Sequence, residues 1–397
     1  MALRKILTRT ILLVSFVSLF TDIASEMLYP IMPVYLRSIG FSFVLIGILE
    51  GVAEATAGLS KGYFGNLSDK LKKRAPFVQA GYTLSAISKP MMAILTFPWW
   101  IFIARTFDRL GKGIRTGARD AILSDETLPE NKGKIFGFHR GMDTLGAAIG
   151  PFVALIFLMF YPGQYKWLFL IAFFPGLIAI ALTFLLKDKK AAEEQTNLTN
   201  NKKERVSFFS YLTYWKRATP AYHYLVIGLL VFTLFNSSDA FLLLALKNKH
   251  MTDSAMIGYY IFYNLVYAML SYPIGYMADK IGLKTTMITG LLIFSVVYIL
   301  FGFTSSAVVF AVLFFFYGIY AAATEGVSKA LITNMADKSE TATAIGFFTS
   351  FSSVCTMLAS SLAGVLWYSI GPTYMFLISG IGVFFAVVYL FFVLRKK

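Results

Sequence analysis

The chain has 397 residues, 57% of them hydrophobic and 14% charged, with a net charge of +15. An average soluble domain is about 25% charged, so a water-soluble globule is excluded and a bilayer is the natural solvent. The single cysteine, Cys355, excludes a disulfide framework.

A helix crossing a bilayer needs about 20 mostly apolar residues. Twelve such runs are predicted, numbered here as spans 1 to 12. They cover 10–36, 42–64, 77–97, 99–118, 136–160 and 167–186, then 221–245, 254–276, 285–304, 306–331, 343–367 and 372–394. The first run is too long for a cleavable signal peptide and lacks a small-residue cleavage site, so it is expected to be a true span. Each span is taken as one continuous helix, which makes the chain an all-α integral membrane protein.

Span 1 carries "TDIASEMLYP", in which Asp22 and Glu26 share a helix face, four residues apart. Pro30 and Pro33 follow, where a proline loosens a span that must flex. Span 2 carries a second such pair, Glu50 and Glu54, and then Lys61, expected near a membrane surface. The loop after it reads "GNLSDKLKKRAPF". Lys89 lies in span 3. On span 4, Arg105, Arg109 and Lys112 form a basic stripe, with Asp108 three from Arg105 and four from Lys112. Each mid-span charge costs about 2.5–3.5 kcal/mol. The acids of span 1 and the arginines of span 4 are therefore expected to pair across a central cavity; ion pairs that merely lock helices together are the alternative. On span 5, His139 is expected to be solvated at the helix start, with Arg140 beside it and Asp143 one turn deeper.

Residues 187–219 begin "KDKKAAEEQTNLTNNKKERV" and form a polar linker, with a short amphipathic helix expected near "FFSYLTYW". The second half carries fewer charges. Span 7 has Asn236, Ser237, Ser238 and Asp239; span 8 has Tyr259, Tyr260, Tyr263, Asn264 and Tyr267. In span 10, Glu325 and Lys329 stand in the favourable i,i+4 order and are expected to neutralise each other.

Lysines and arginines gather before span 1, after spans 2, 4 and 6, and at the C-terminus, which predicts that both termini are cytoplasmic. This bias accounts for the net charge without a nucleic-acid surface. The halves also repeat. "GNLSDKLKKRAPF" (65–77) matches "GYMADKIGLKTTM" (275–287), and "AILSDETLPENKGKIFGF" (121–138) matches "ALITNMADKSETATAIGF" (330–347), at offsets of 210 and 209 residues. A duplication follows, with an N-terminal six-helix bundle (1–186), the linker (187–219) and a C-terminal six-helix bundle (220–397).

Over nearly its whole length the chain resembles the major facilitator superfamily (MFS). Gly65, Leu67, Asp69, Lys70, Lys73 and Arg74 fit the family's loop motif G-x-L-x-D-[RK]-x-G-[RK]-[RK], which departs only at Lys72; the second copy keeps Gly282. "ARTFDRLGKG" is similar to the family's span-4 arginine followed by glycines, with Arg105 and Arg109 both eligible. Gly146, Gly150 and Pro151 match a G-x-x-x-G-P motif associated with antiporters, although such small-residue spacing also serves helix packing. The resemblance implies two pseudo-symmetric bundles and a latch of Gly65, Asp69, Lys70, Arg74, Gly275, Asp279 and Lys280 that holds the cytoplasmic side shut in the outward-open state.

The expected function is secondary active transport by alternating access, with proton-coupled export of a polar, amphiphilic or charged small molecule across a bacterial inner membrane. Asp22 and Glu26 lead as proton-coupling groups. Glu54, Arg105, Arg109, Asp143, Asn236, Asp239, Asn264 and Glu325 complete the coupling and cavity set. The alternatives are a proton-coupled importer of a polar nutrient or metal chelate, and, in a different class, a membrane receptor without flux. Enzymatic chemistry has no support: there is no HExxH and no GxSxG. No cofactor and no dedicated metal site are expected. The expected partners are the solute, protons and membrane lipids, with the chain a monomer.

Overall fold

The computed structural model describes residues 7–29, 31–188 and 207–395. They form twelve spans in two six-helix bundles, with no strand among the described residues. Eight helices are long and apolar enough to cross a membrane by composition. Spans 2, 3, 4 and 8 fall short because they carry the interior charges, hydroxyls and tyrosines.

Two spans differ from the expected continuous helices, and they occupy equivalent places in the repeat. Span 1 runs Arg9–Leu28 and resumes as Met32–Ser38; span 7 runs Pro220–Phe235 and resumes as Ala240–Asn248. The first break falls beside a proline, which has no backbone N–H to donate. The second falls in "NSSD", whose short polar side chains compete for backbone partners. Paired breaks in the two halves are how transporters expose backbone and polar groups at a binding site. Several other helices outrun the predicted spans: span 2 is Phe43–Lys70, span 4 Pro98–Asp125, span 5 Lys132–Phe160, span 8 Asp253–Ile281 and span 10 Ala307–Met335. The charged residues at these ends are helical rather than in loops.

In the first half, span 1 packs on span 5, span 2 on span 4 and span 3 on span 4; spans 8 to 10 and 12 pair equivalently in the second half. The second half has an aromatic core including Phe294, Tyr298, Phe301, Phe310, Phe314, Tyr317 and Tyr320. Of the linker, 189–206 lies outside the described residues. The stretch expected to hold an amphipathic helix contains a 3₁₀ turn, Ser210–Thr213, and one α-turn, Tyr214–Arg217. Tyr211 and Tyr214 are buried there, with Tyr211 against Gly62 of span 2, so this segment docks on protein.

The two halves touch through spans 2 and 11, 5 and 8, 10 and 5, and 4 with both 10 and 11. On one face of span 2, Gly65 abuts the carbonyl of Ala342 so closely that no Cβ fits; a Cβ on Gly58 would lie 2.9 Å from Ser353, and one on Gly51 would meet nothing. The halves are thus closed at the end carrying the repeated loops and parted at the other.

Candidate functional site: a charged pocket above a closed gate

The closed end is built from the repeated loops. Asp69 takes Arg74 as an ion pair and accepts from Thr343 N and Thr343 Oγ1, both at 2.6 Å, and from Ala342 N at 3.4 Å. Asp279 accepts from Gly133 N at 2.8 Å and Lys134 N at 2.9 Å. Spans 11 and 5 begin at these residues, and neither has a side-chain cap of its own. Each loop aspartate therefore caps a helix of the opposite half, satisfying orphan N–H groups and meeting the positive end of the helix dipole. Gly275 abuts the carbonyl of Gly133 as Gly65 abuts that of Ala342. The motif's missing glycine has a conformational meaning: Gly282 adopts φ 104°, and Lys72 is forced to φ 52°. Lys70 is exposed, and Lys280 lies 4.4 Å over the ring of Tyr276.

A second inter-half layer lies deeper. Asp120, 0% exposed, is held by Arg119 at 2.9 Å and by Lys329 of span 10 at 2.8 Å. Arg140 joins Asp143 at 2.7 Å, Glu325 at 3.7 Å and the hydroxyl of Tyr267 at 2.5 Å. Asp143 also accepts from Ser18 at 2.5 Å. Three sequence expectations change here. Glu325 and Lys329 pair with span 5 and span 4 rather than with each other, because the gate brings stronger partners to each. His139 is 2% exposed, with Nδ1 3.4 Å from Ser15 Oγ; the extended helix start places it inside. Lys61 donates to Ser353 Oγ at 2.9 Å, across to span 11, so it joins the halves.

Above this gate lies a pocket lined by Asp22, Ser25, Glu26, Tyr29, Ser85, Arg105, Asp108, Arg109, Lys112 and Arg115. The expected pairing of Asp22 and Glu26 with span-4 arginines is not what the structure has. Arg105 makes a two-pronged bond with Glu50, 2.8 Å on both arms, and reaches Asp108 at 3.2 Å. Arg109 lies 3.9 Å from Glu50 and from Glu54. Span 2 thus takes the arginines, and among the described residues no basic group lies within ion-pair distance of Asp22 or Glu26. Lys89 is buried against Asp108 at 2.6 Å and Ser25 at 3.2 Å.

The break in span 7 is held by tyrosines of spans 9 and 10. Tyr317 donates to Asp239 at 2.7 Å, Asn236 Nδ2 donates to the hydroxyl of Tyr320 at 3.3 Å, and Ser237 shares a bond with Tyr298 at 3.2 Å. Asn264 donates to the carbonyl of Tyr260 at 2.9 Å, and Tyr260 lies within electrostatic reach of Glu26, Tyr29 and Asp239. Gly146 and Gly150 let span 5 cross span 1 closely: a Cβ on either would strike the carbonyl of Leu19 or Ile23, at 2.5 and 2.7 Å. Pro151 lies inside the same helix.

The sequence reading missed Arg115, Arg119 and Asp120. The signal was present, since the basic stripe at 105, 109 and 112 continues to 115 and 119; span 4 was expected to end at 118, which left out Arg119 and Asp120, whereas Arg115 lay inside the span and was overlooked.

Comparison with known proteins agrees with this architecture. The Major Facilitator Superfamily model matches residues 14–262 and 225–397. The MFS-type transporter MJ1317 of Methanocaldococcus jannaschii is 32% identical over 377 residues, covering 94% of this chain and 91% of the relative. The multidrug resistance protein MdtH of Proteus mirabilis is 23% identical over 318 residues, 79% and 75% of the two chains. The Escherichia coli fucose:proton symporter FucP superposes with a TM-score of 0.77 at 13% identity, covering 96% and 98%. The chain belongs to the major facilitator superfamily: it is a multi-pass membrane transporter.

Proposed function

We propose that the chain moves a polar or charged small solute by alternating access, exporting it in exchange for protons. The carrying observation is the pairing of a gate shut by reciprocal caps with a charged pocket that opens at the other end. With both termini in the cytoplasm, as the lysine and arginine bias argues, the closed end is cytoplasmic and this state is outward-open. The bundles 1–186 and 220–397, joined by the linker, would rock about the fixed pocket as a monomer in a bacterial inner membrane.

Asp22 and Glu26 are the proton carriers in this reading. They lie at the pocket with no basic partner in ion-pair range, so proton and solute compete for them, which is the requirement for exchange. Asp143, tied to Arg140 and through it to Glu325, transmits the change to the gate. The G-x-x-x-G-P motif and the multidrug-resistance relative support the outward direction.

The test is flux in proteoliposomes. A pH gradient should drive solute counter to protons in the native chain. Asp22→Asn and Glu26→Gln should each abolish gradient-driven flux while solute exchange at equal pH persists at saturating solute, with a raised half-saturation concentration. Gradient-driven flux unchanged in both variants would overturn the coupling assignment, and solute binding without any flux would mark a receptor.

A further inference from the structure

Spans 1 and 4 meet at the pocket with charges left over on both sides. On span 4, no carboxylate among the described residues lies within ion-pair distance of Lys112 or Arg115, and Arg109 reaches its two glutamates only at 3.9 Å. Arg115 is 5% exposed and lies 4.4 Å over the ring of Tyr82; its Nη1 is buried without a hydrogen-bond partner, as is Nε of Arg109. A buried donor left unsatisfied costs about 1–3 kcal/mol, and here the unsatisfied donors border the pocket. On span 1, neither Asp22 nor Glu26 has a basic group within ion-pair distance among the described residues; Asp22 instead meets the carboxyl of Asp143, and Glu26 has no such partner. The enclosed volume between them is about 40 Å³, room for two or three waters or for one compact headgroup.

We infer that this pocket recognises a zwitterionic headgroup, with an ammonium held by Asp22 and Glu26 and a carboxylate or similar oxyanion held by Arg109, Lys112 and Arg115. A lone cation would leave the guanidinium groups unsatisfied, and a lone anion would meet two carboxylates. Only a ligand with both charges a few ångströms apart, as in an α-amino acid or a betaine, satisfies both walls at once. The ligand's body extends past Tyr29, which is 53% exposed, toward Tyr260. Ser25 and Ser85 also line the pocket, the first accepting from Lys89 and the second donating to Asp108. The inference rests on the pocket being the solute site, and it is consistent with exchange because the ammonium and the proton compete for the same acids.

The experiment is calorimetric titration of the full-length protein in nanodiscs. The ligand set runs from glycine betaine through amino acids of increasing size, phenylalanine included, to dipeptides. Each amino acid or dipeptide that binds is compared with its N-acetyl derivative, which keeps only the anion, and its methyl ester, which keeps only the cation; glycine betaine, whose quaternary nitrogen cannot be acylated, is compared with its methyl ester and with isovalerate as the anion alone. At least one zwitterion should bind, with both derivatives weaker by roughly ten- to hundredfold. Arg115→Gln should weaken the zwitterion by the same factor and leave the ester unchanged. Glu26→Gln should weaken it equally and leave the N-acetyl form unchanged; the two variants lie on opposite walls, so a fold defect in one leaves the other decisive. A singly charged derivative binding as tightly as its parent, or no zwitterion in the set binding at all, would overturn the inference. Zwitterion binding without flux would sustain the inference and defeat the transport reading. Flux of a singly charged solute that these variants do not affect would do the reverse.

Discussion

At the residue scale, the energetics centre on which charge is paired. Lys89 is buried against Asp108, and removing it leaves the buried carboxylate with Arg105 alone, which Glu50 already engages. Lys89→Met should lower stability by about 3 kcal/mol, read as a fall in the thermal unfolding midpoint; Lys89→Met with Asp108→Leu should recover part of it only if Arg105 keeps Glu50. Lys72 presents the opposite case. Its φ of 52° is costly for a residue with a Cβ, so Lys72→Gly should stabilise the protein by about 1 kcal/mol, measured by chemical or thermal unfolding in detergent. The sequence displayed the acids and bases but not their partners. Asp22 and Glu26 were evident from spacing, yet Glu50 and Glu54 hold the arginines, because partner choice depends on how spans 1, 2 and 4 rotate about their axes.

At the element scale, the shut end is a reciprocal exchange of helix caps. Spans 5 and 11 begin without caps of their own and borrow Asp279 and Asp69 from the opposite halves. Each cap contributes about 1 kcal/mol, up to about 2 in favourable cases, and the paired charge on Arg74 adds to the first. Asp69→Asn should therefore raise opening of the closed end about tenfold. Ser353, which lies against Gly58 and Lys61, reports it: in a Cys355→Ser background, Ser353→Cys should be alkylated about tenfold faster when Asp69 is changed. Equal alkylation rates would remove the cap from the gate. This part was legible in the sequence, because the loop motif repeats and its aspartates match at an offset of 210 residues. The deeper layer was not. Asp120 and Arg119 lay beyond the expected end of span 4, and the contact of Asp120 with Lys329 joins residues more than 200 apart in sequence.

At the scale of the molecule, composition and the repeat were enough to give twelve spans and two halves. The break in span 7 was harder to read, since hydropathy averages over a window and does not register four polar residues inside an apolar run; in span 1 the prolines marked a place to flex but not a full interruption. Tyr29, at the first break, lines the pocket and lies within electrostatic reach of Asp239 at the second. The gate and pocket then form one machine only if the shut end and the open end exchange.

Distances between spin labels at both ends measure that exchange directly. In a Cys355→Ser background, one pair is placed at Leu71→Cys and Lys338→Cys on the shut end and another at Ser38→Cys and Lys249→Cys on the open end; all four positions are exposed. The native latch should give a short first distance and a long second one. Asp69→Asn with Asp279→Asn should lengthen the first and shorten the second together. If both distances stay as they are, or if the first lengthens while the second is unmoved, the halves do not rock about the pocket and alternating access through this gate is wrong.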